Sequence, residues 1–284
     1  MDLTLYSGEQ LLAFSVILGL LVGSFLNVVI YRVPEMLKRQ WTSECTVYLE
    51  LESDEEPTKD PFNLVKPDST CPKCGHKIKP WENIPVISWL FLRGKCSNCK
   101  APISFRYPAI ELLTGLVSGW MIYQFGANWA GIMAMVFSWM LIALFFIDLD
   151  EQLLPDNITL PLLWLGLIAN SQGLFTDLPT ALFGAVFGYL SLWSVYWLFK
   201  IVTGKEGMGH GDFKLLAALG AWIGWTMLPQ IIIISSFVGL AFGLSQMFLS
   251  GENKPFAFGP SLIIAGMIAF IWGPDINHWY LTAL

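Results

Sequence analysis

Charge is what this chain has least of, and the shortage excludes the commonest class of protein first. Only 13% of its 284 residues are Asp, Glu, Lys or Arg, against 55% hydrophobic, and mean hydropathy is +0.57. Soluble domains carry about a quarter of their residues charged, so this composition reads as a membrane protein. A basic start is missing too: Met1 to Gln10 hold Asp2 and Glu9 but no Lys or Arg. With no small-residue cleavage site behind it either, the first apolar stretch reads as a retained helix rather than a secretory signal. Nor is there a glycine-rich dinucleotide fingerprint, or a repeat of the kind that many transporters carry.

What is present is a series of apolar stretches at roughly 11–31, 109–125, 129–147, 157–173, 180–201, 213–227, 230–249 and 258–274. A spanning helix needs about 20 such residues, fewer when it is enclosed by others. The expected fold is therefore an all-α polytopic membrane protein of about eight transmembrane helices. Lys and Arg collect in cytoplasmic loops. With the N-terminus outside, all sixteen fall on or beside segments 32–108, 148–156, 202–212 and 250–257, and none falls in 126–128, 174–179 or 228–229.

Between the first two spans lies the one polar segment long enough to fold by itself, about Arg32 to Tyr107. Its acidic part, Glu44 to Asp60, is poor in core-forming residues after Leu51 and reads as a mobile, solvated insert. Further on come Cys71-Pro-Lys-Cys74-Gly and Cys96-Ser-Asn-Cys99-Lys, with twenty-one residues between the pairs (75 to 95). Four thiolates in two Cys-x-x-Cys turns satisfy tetrahedral zinc and leave no open position, which points to a structural Zn2+ on a zinc-ribbon-like module. A cytoplasmic location argues against two disulfides. His76 is an alternative ligand, and Cys45 is left over as a buried or idle thiol.

Ionisable groups at the ends of apolar helices need water, a partner or a function to keep them there. Two places qualify. Phe146-Ile147-Asp148-Leu149-Asp150 runs on to Leu154-Pro155-Asp156 where the third span gives way to the fourth, and Gly207-Met208-Gly209-His210-Gly211-Asp212 leads into the sixth. The topology puts Asp148 and Asp212 at one depth on one face of the membrane. Two carboxylates that meet in a partly desolvated place share a proton, which provides an acid and a base for hydrolysis without a Ser or Cys nucleophile. Asp212 has the plainer alternative of a helix cap, and Asp150 and Asp156 read as caps or as solvated interfacial groups.

These motifs resemble the bifunctional type IV prepilin peptidases, the bacterial branch of the membrane aspartic proteases with a Gly-x-Gly-Asp-type loop. The resemblance also takes in Gly23-Ser24-Phe25-Leu26-Asn27 through Arg32-Val33-Pro34, both cysteine pairs, and Pro102-Ile103-Ser104-Phe105-Arg106-Tyr107-Pro108-Ala109-Ile110-Glu111. It implies that Asp148 and Asp212 are catalytic. It implies further that prepilins and type II secretion pseudopilins are cut after a glycine, between a basic leader and an apolar helix. The new N-terminal amine would then be methylated with S-adenosylmethionine.

For methyl transfer the candidates are Gly94, Arg106 and Glu111. Each also has a plain role open to it: a ribbon turn for Gly94, a lipid-phosphate anchor for Arg106, a cation partner for Glu111. Asn27 reads as an interhelical hydrogen-bonding residue. The expected organisation is a first transmembrane helix over 1–31, a cytoplasmic zinc-binding domain over 32–108 and a protease domain over 109–284. The expected location is a bacterial inner membrane with the site on the cytoplasmic side, membrane lipid as surroundings and no nucleic acid as partner. A proton-coupled transporter and a scaffold with a zinc docking module are the rival classes.

Overall fold

Each apolar stretch folds as helix, and the computed structural model describes residues 8–50, 62–250 and 257–283. The chain divides into two units, Met1–Tyr123 and Gln124–Leu284. Among the described residues, β pairing is confined to two isolated bridges, Thr70 with Lys77 and Lys95 with Pro102.

In the first unit, α1 (Gly8–Tyr48) is followed by a 3-10 turn (Pro80–Asn83), a short α2 (Ile87–Phe91) and α3 (Arg106–Phe125). Small residues at four-residue spacing let α1 and α3 approach closely, as in membrane helix pairs generally. A Cβ on Gly19 would strike Ser118, and one on Gly23 would stand 2.7 Å from Glu111 Cα, so the two helices run in opposite directions. Asn27 fulfils its expected role, since Nδ2 donates to the carbonyl of Tyr107 on α3 at 3.2 Å.

The first helix outruns its apolar part. It continues past Tyr31, through Pro34, to Tyr48, although proline removes a helical N–H and is a common stop. Buried Arg32 fastens this stretch to the chain beyond by donating to the carbonyls of Asn63 and Pro67 at 2.8 and 2.6 Å. Residues 44–48 of the expected mobile insert are thus helical, and its acidic part from 51 to 60 lies outside the described residues. Cys45, on this helix, is exposed rather than buried.

The second unit comprises α4 (Trp129–Glu151), α5 (Asp156–Ser171), α6 (Leu178–Thr203), α7 (His210–Ile223), a 3-10 turn (Trp225–Met227), α8 (Leu228–Ser250) and α9 (Gly259–Ala283). Its centre is α7, which packs against α5, α6 and α9. Phe213, Leu215, Leu216, Leu219 and Trp222 are all fully buried, the pattern of a helix that is apolar all round. On α6, Gly184 and Gly188 face α7 so closely that a Cβ on Gly184 would overlap the carbonyl of Gly220. The larger α6 side chains, Leu182, Val186 and Leu190, are half exposed, as suits a surface that meets lipid.

The expected sixth span, 213–227, is not one continuous helix. It stops at Ile223, where Gly224 takes φ +91° and a 3-10 turn follows. Asn170 closes that end: its Nδ2 donates to the carbonyls of Ala221 and Trp222 at 2.8 and 3.0 Å, while Oδ1 accepts from the N–H groups of Phe175 and Thr176.

Among the described residues, five segments are long and apolar enough to cross a membrane: Gly8–Tyr48, Trp129–Glu151, Leu178–Thr203, Trp225–Ser245 and Gly259–Trp279. At 14 residues, α7 is only about 21 Å long, short of the ~30 Å hydrocarbon core.

Candidate active site and metal centre

Asp148 sits in the last turn of α4. The helix ends directly after it, because Gln152 adopts a left-handed conformation and returns its N–H to the Asp148 carbonyl at 2.9 Å. Asp212 sits in the first turn of α7, where the N-cap is Gly209 and no side chain caps the helix. Asp212 is thus not the N-cap residue itself, but the backbone N–H of Gly209 is directed at its carboxylate, so it also serves the helix start. Both side chains are buried, 5% and 7% exposed, and the charge of one reaches the other. The structure thus brings together residues sixty-four positions apart in the sequence.

Leu154 packs against glycines that lie beside each of them. A Cβ on Gly211 would stand 2.9 Å from Leu154 Cβ, and one on Gly259 would stand 3.3 Å from Leu154 Cδ1 while overlapping Asp148 Oδ2. The loop before Asp212 is moored to α6: Glu206 accepts from Lys200 Nζ at 2.8 Å and from the Tyr196 hydroxyl at 3.2 Å. His210 packs edgewise on Tyr196 at 5.1 Å between ring centres. Asp156 is half exposed at a helix start, as a solvated group would be, and has a partner as well. It is the first residue of α5 and accepts from Lys214 of α7.

Sequence reasoning missed Gly259. Its only local signal is a glycine beside Pro260 at the head of an apolar stretch, and the contact with Asp148 depends on the fold.

The four cysteines of the first unit converge. The Sγ atoms of Cys71, Cys74, Cys96 and Cys99 all lie within 4.8 Å of one another, with Cys71 and Cys99 3.8 Å apart. A tetrahedron of thiolates about 2.3 Å from a zinc ion has edges of about 3.8 Å, so the donor set fits such an ion with little adjustment. The two turns are built alike. Cys71 N–H donates to the His76 carbonyl and Gly75 N–H to the Cys71 carbonyl; Cys96 N–H and Lys100 N–H repeat the pattern with Ala101 and Cys96. Gly75 and Lys100 occupy the corresponding left-handed position, at φ +69° and +60°.

His76 lies outside the cluster, with Nε2 3.2 Å from Glu82 Oε2 and 3.2 Å from Ser97 Oγ. Glu82 is held down to about 2, first by the Lys79 N–H and then by Ser97 and His76, so it stays ionised beside that ring.

The methyl-transfer candidates occupy distinct places in the first unit. Gly94, at φ +65°, turns beneath Trp89, whose ring fills the space a Cβ would need; this is its structural role. Arg106 begins α3, with its N–H on Ser104 Oγ at 3.2 Å. Glu111 is buried on α3, and its Oε2 accepts the N–H of Val86 at 2.7 Å.

Comparison with known proteins shows the family. Residues 17–125 match the bacterial peptidase A24 N-terminal domain, and residues 135–244 match the type IV leader peptidase family. The chain is 56% identical over 286 residues to the prepilin leader peptidase/N-methyltransferase of Pseudomonas aeruginosa, covering 99% of this chain and 98% of that one. It is 57% identical over 269 residues to the protein of that name from Stutzerimonas stutzeri, covering 94% and 92%. For the Aeromonas hydrophila protein the figures are 52% over 284 residues, 99% and 98%. No solved structure matches the chain significantly.

Proposed function

The chain belongs to the type IV leader peptidase family, and on that premise we propose that Asp148 and Asp212 cleave the leader from prepilins by activating water, after which the same protein methylates the new N-terminal amine. The observation that supports the dyad is the burial of both carboxylates at the ends of α4 and α7, with Leu154 packed on Gly211 beside one and on Gly259 beside the other. Two acids so placed hold one proton between them. The ionised one takes a proton from water as the water oxygen attacks the scissile carbonyl. The protonated one hydrogen-bonds the developing oxyanion and then passes its proton to the departing nitrogen as the C–N bond breaks.

The finer reading is a protein of eight membrane helices in the bacterial inner membrane, its N-terminus outside, with the aspartates and the segment 32–108 on the cytoplasmic side. The distribution of Lys and Arg supports that orientation. A basic leader then stays in the cytoplasm while the apolar pilin helix lies in the bilayer, which brings the scissile bond to the depth of the aspartates. Type II secretion pseudopilins share that geometry and are substrates on the same ground. The protease domain runs from 109 to 284, after the first helix (1–31) and the zinc-binding segment (32–108). We assign Zn2+ to the four cysteines as a structural ion.

S-adenosylmethionine supplies an electrophilic methyl group. We assign Glu111 to hold the amine that receives it, Arg106 to bind the cofactor's carboxylate, and Gly94 to set the turn whose carbonyl holds Ile103, just before Arg106. The burial of Glu111, with one oxygen fixed by Val86, supports its part. The transporter and scaffold alternatives are not favoured, since neither accounts for two buried acids at helix ends in a chain of this family.

The test is leader cleavage by the detergent-solubilised protein, with prepilin as substrate. Asp148→Ala and Asp212→Ala should each abolish it at normal expression, and near-normal cleavage by either variant would remove the dyad.

A further inference from the structure

The short helix α2 is built inside out. Ile87, Leu90 and Phe91 stand at i, i+3 and i+4 and so share one face of it, and that face is exposed, at 50%, 61% and 85%. Ile84, just before the helix, is 44% exposed as well. The side turned inward carries the polar groups. Ser88 is buried, its hydroxyl donating to the Trp81 carbonyl at 2.7 Å and accepting the Ile84 N–H at 3.0 Å. Trp89 lies over Gly94, meets Phe105 edge-on at 5.7 Å between ring centres, and donates from Nε1 to the Ile103 carbonyl. A module folded in water buries Ile, Leu and Phe before serine, and a clustered apolar face left outside marks a surface with a partner.

Position identifies that partner. Helices α1 and α3 run antiparallel, with Asn27 bonded to the Tyr107 carbonyl and Gly23 beside Glu111. The α2 segment is fastened to this pair at Val86, whose N–H donates to Glu111 Oε2 at 2.7 Å. Side chains on a helix lean toward its N-terminus, so Glu111 reaches back by about one turn, to the level of Tyr107 and hence of Asn27. Asn27 precedes Arg32, the first cation of α1, by five residues, which is about 7.5 Å of helix. Val86 therefore lies on the membrane side of Arg32 by about that distance. Interfacial helices sit about 5–10 Å into the boundary between headgroups and acyl chains, which is the same depth. The charge pattern agrees. Residues 84–92 hold no charged side chain, and exposed cations flank them, Lys79 before and Arg93 and Lys95 after. Such a rim suits lipid phosphates, whereas it would repel the basic leader of a prepilin.

We propose that residues 84–91 form an interfacial anchor of the zinc-binding segment: Ile84, Ile87, Leu90 and Phe91 insert among the acyl chains of phospholipid in the cytoplasmic leaflet. The inference rests on the membrane reading of α1 and α3 and is independent of the aspartate dyad. It moves part of the segment 32–108 from water into the bilayer surface. Because Val86 belongs to the inserted stretch, seating in lipid also holds its N–H on Glu111.

The experiment places the photoreactive residue p-benzoylphenylalanine at Leu90, Phe91, Phe25 or Lys73, one position at a time, in the full chain held in bilayer discs of phosphatidylethanolamine and phosphatidylglycerol. Phe25, 51% exposed on the apolar part of α1, is the lipid control, and exposed Lys73 in the first cysteine turn is the aqueous one. A thermal midpoint like that of wild type shows that each variant is folded. After irradiation the intact protein is weighed by mass spectrometry. The Leu90 and Phe91 variants are expected to gain one phospholipid mass, in yields near that of Phe25 and about tenfold above Lys73. Yields at both positions as low as at Lys73, while Phe25 reacts, would overturn the anchor alone. So would attachment to a second copy of the chain, or to added prepilin, in place of lipid, since the face would then dock protein. A Phe25 variant that takes up no lipid would bring down the membrane reading of α1 and the anchor with it.

Discussion

Lys214 Nζ lies 2.8 Å from both carboxylate oxygens of Asp156, which ties the first turn of α7 to the first residue of α5. Asp212 stands in that turn of α7, and the loop holding Leu154 leads into α5. The two aspartate motifs are therefore joined by an ion pair as well as by Leu154. The pair is partly exposed, 33% for Lys214 and 50% for Asp156, so its contribution to stability is under about 1 kcal/mol. Its use is to fix geometry.

Asp156→Ala and Lys214→Ala should each slow leader cleavage about tenfold, or ~1.4 kcal/mol at the transition state. The double variant should be no slower than either single one, because both remove the same tether. Cleavage rates in detergent check this, and simple additivity would show that the two residues act separately.

Asp148 and Asp212 were legible in the sequence because each breaks an apolar pattern, and the cysteine pairs because their spacing is short and repeated. The Asp156–Lys214 pair and the Gly259 contact were not, since no local pattern says which helix start faces which helix end. The run of α1 beyond Pro34 was hidden for another reason. A proline and falling hydropathy argue for a stop, and tertiary hydrogen bonds from Arg32 offset both. The early end of α7 turned on Gly224 and on the carbonyls that Asn170 satisfies from fifty-one positions away.

Close packing of α6 on α7 gives a second prediction. Gly184 and Gly220 meet backbone to backbone, and neither has a flexible neighbour that can yield. Gly184→Ala should force the helices apart and cost about 1–3 kcal/mol, the usual effect of overpacking. Because α7 carries Asp212, cleavage should fall with stability. Thermal unfolding followed alongside cleavage measures both, and an unchanged midpoint would mean that the helices slide without cost.

Replacing Cys71 and Cys74 with Ser should remove the metal. Elemental analysis of the purified protein is expected to give about one zinc per chain for wild type and none for the variant, since a structural site of this kind needs all four ligands. Methyl transfer should suffer more than cleavage. Gly94 and Ile103 are bonded at the base of the Cys96–Cys99 turn, whereas both aspartates belong to the second unit. Undiminished zinc would count against the four-cysteine site.

Glu111 offers the sharpest division between a structural and a chemical role. Its Oε2 accepts the N–H of Val86, a β-branched residue held at φ +58°. That conformation is costly and persists only where surrounding contacts impose it. Glu111→Ala removes the acceptor, so the loop should relax and stability fall by about 1–3 kcal/mol, the usual consequence of an orphaned buried donor. Glu111→Gln keeps a carbonyl oxygen to receive the same N–H and should leave the thermal midpoint near that of wild type. It removes the negative charge, however, and with it the group that would hold a protonated amine and accept its proton before methylation. Glu111→Gln is therefore expected to cut methyl transfer at least a hundredfold while leader cleavage continues, as followed by the mass of the processed pilin. A Gln variant that methylates at the normal rate would reduce Glu111 to a loop anchor, because the one property it lacks is the charge.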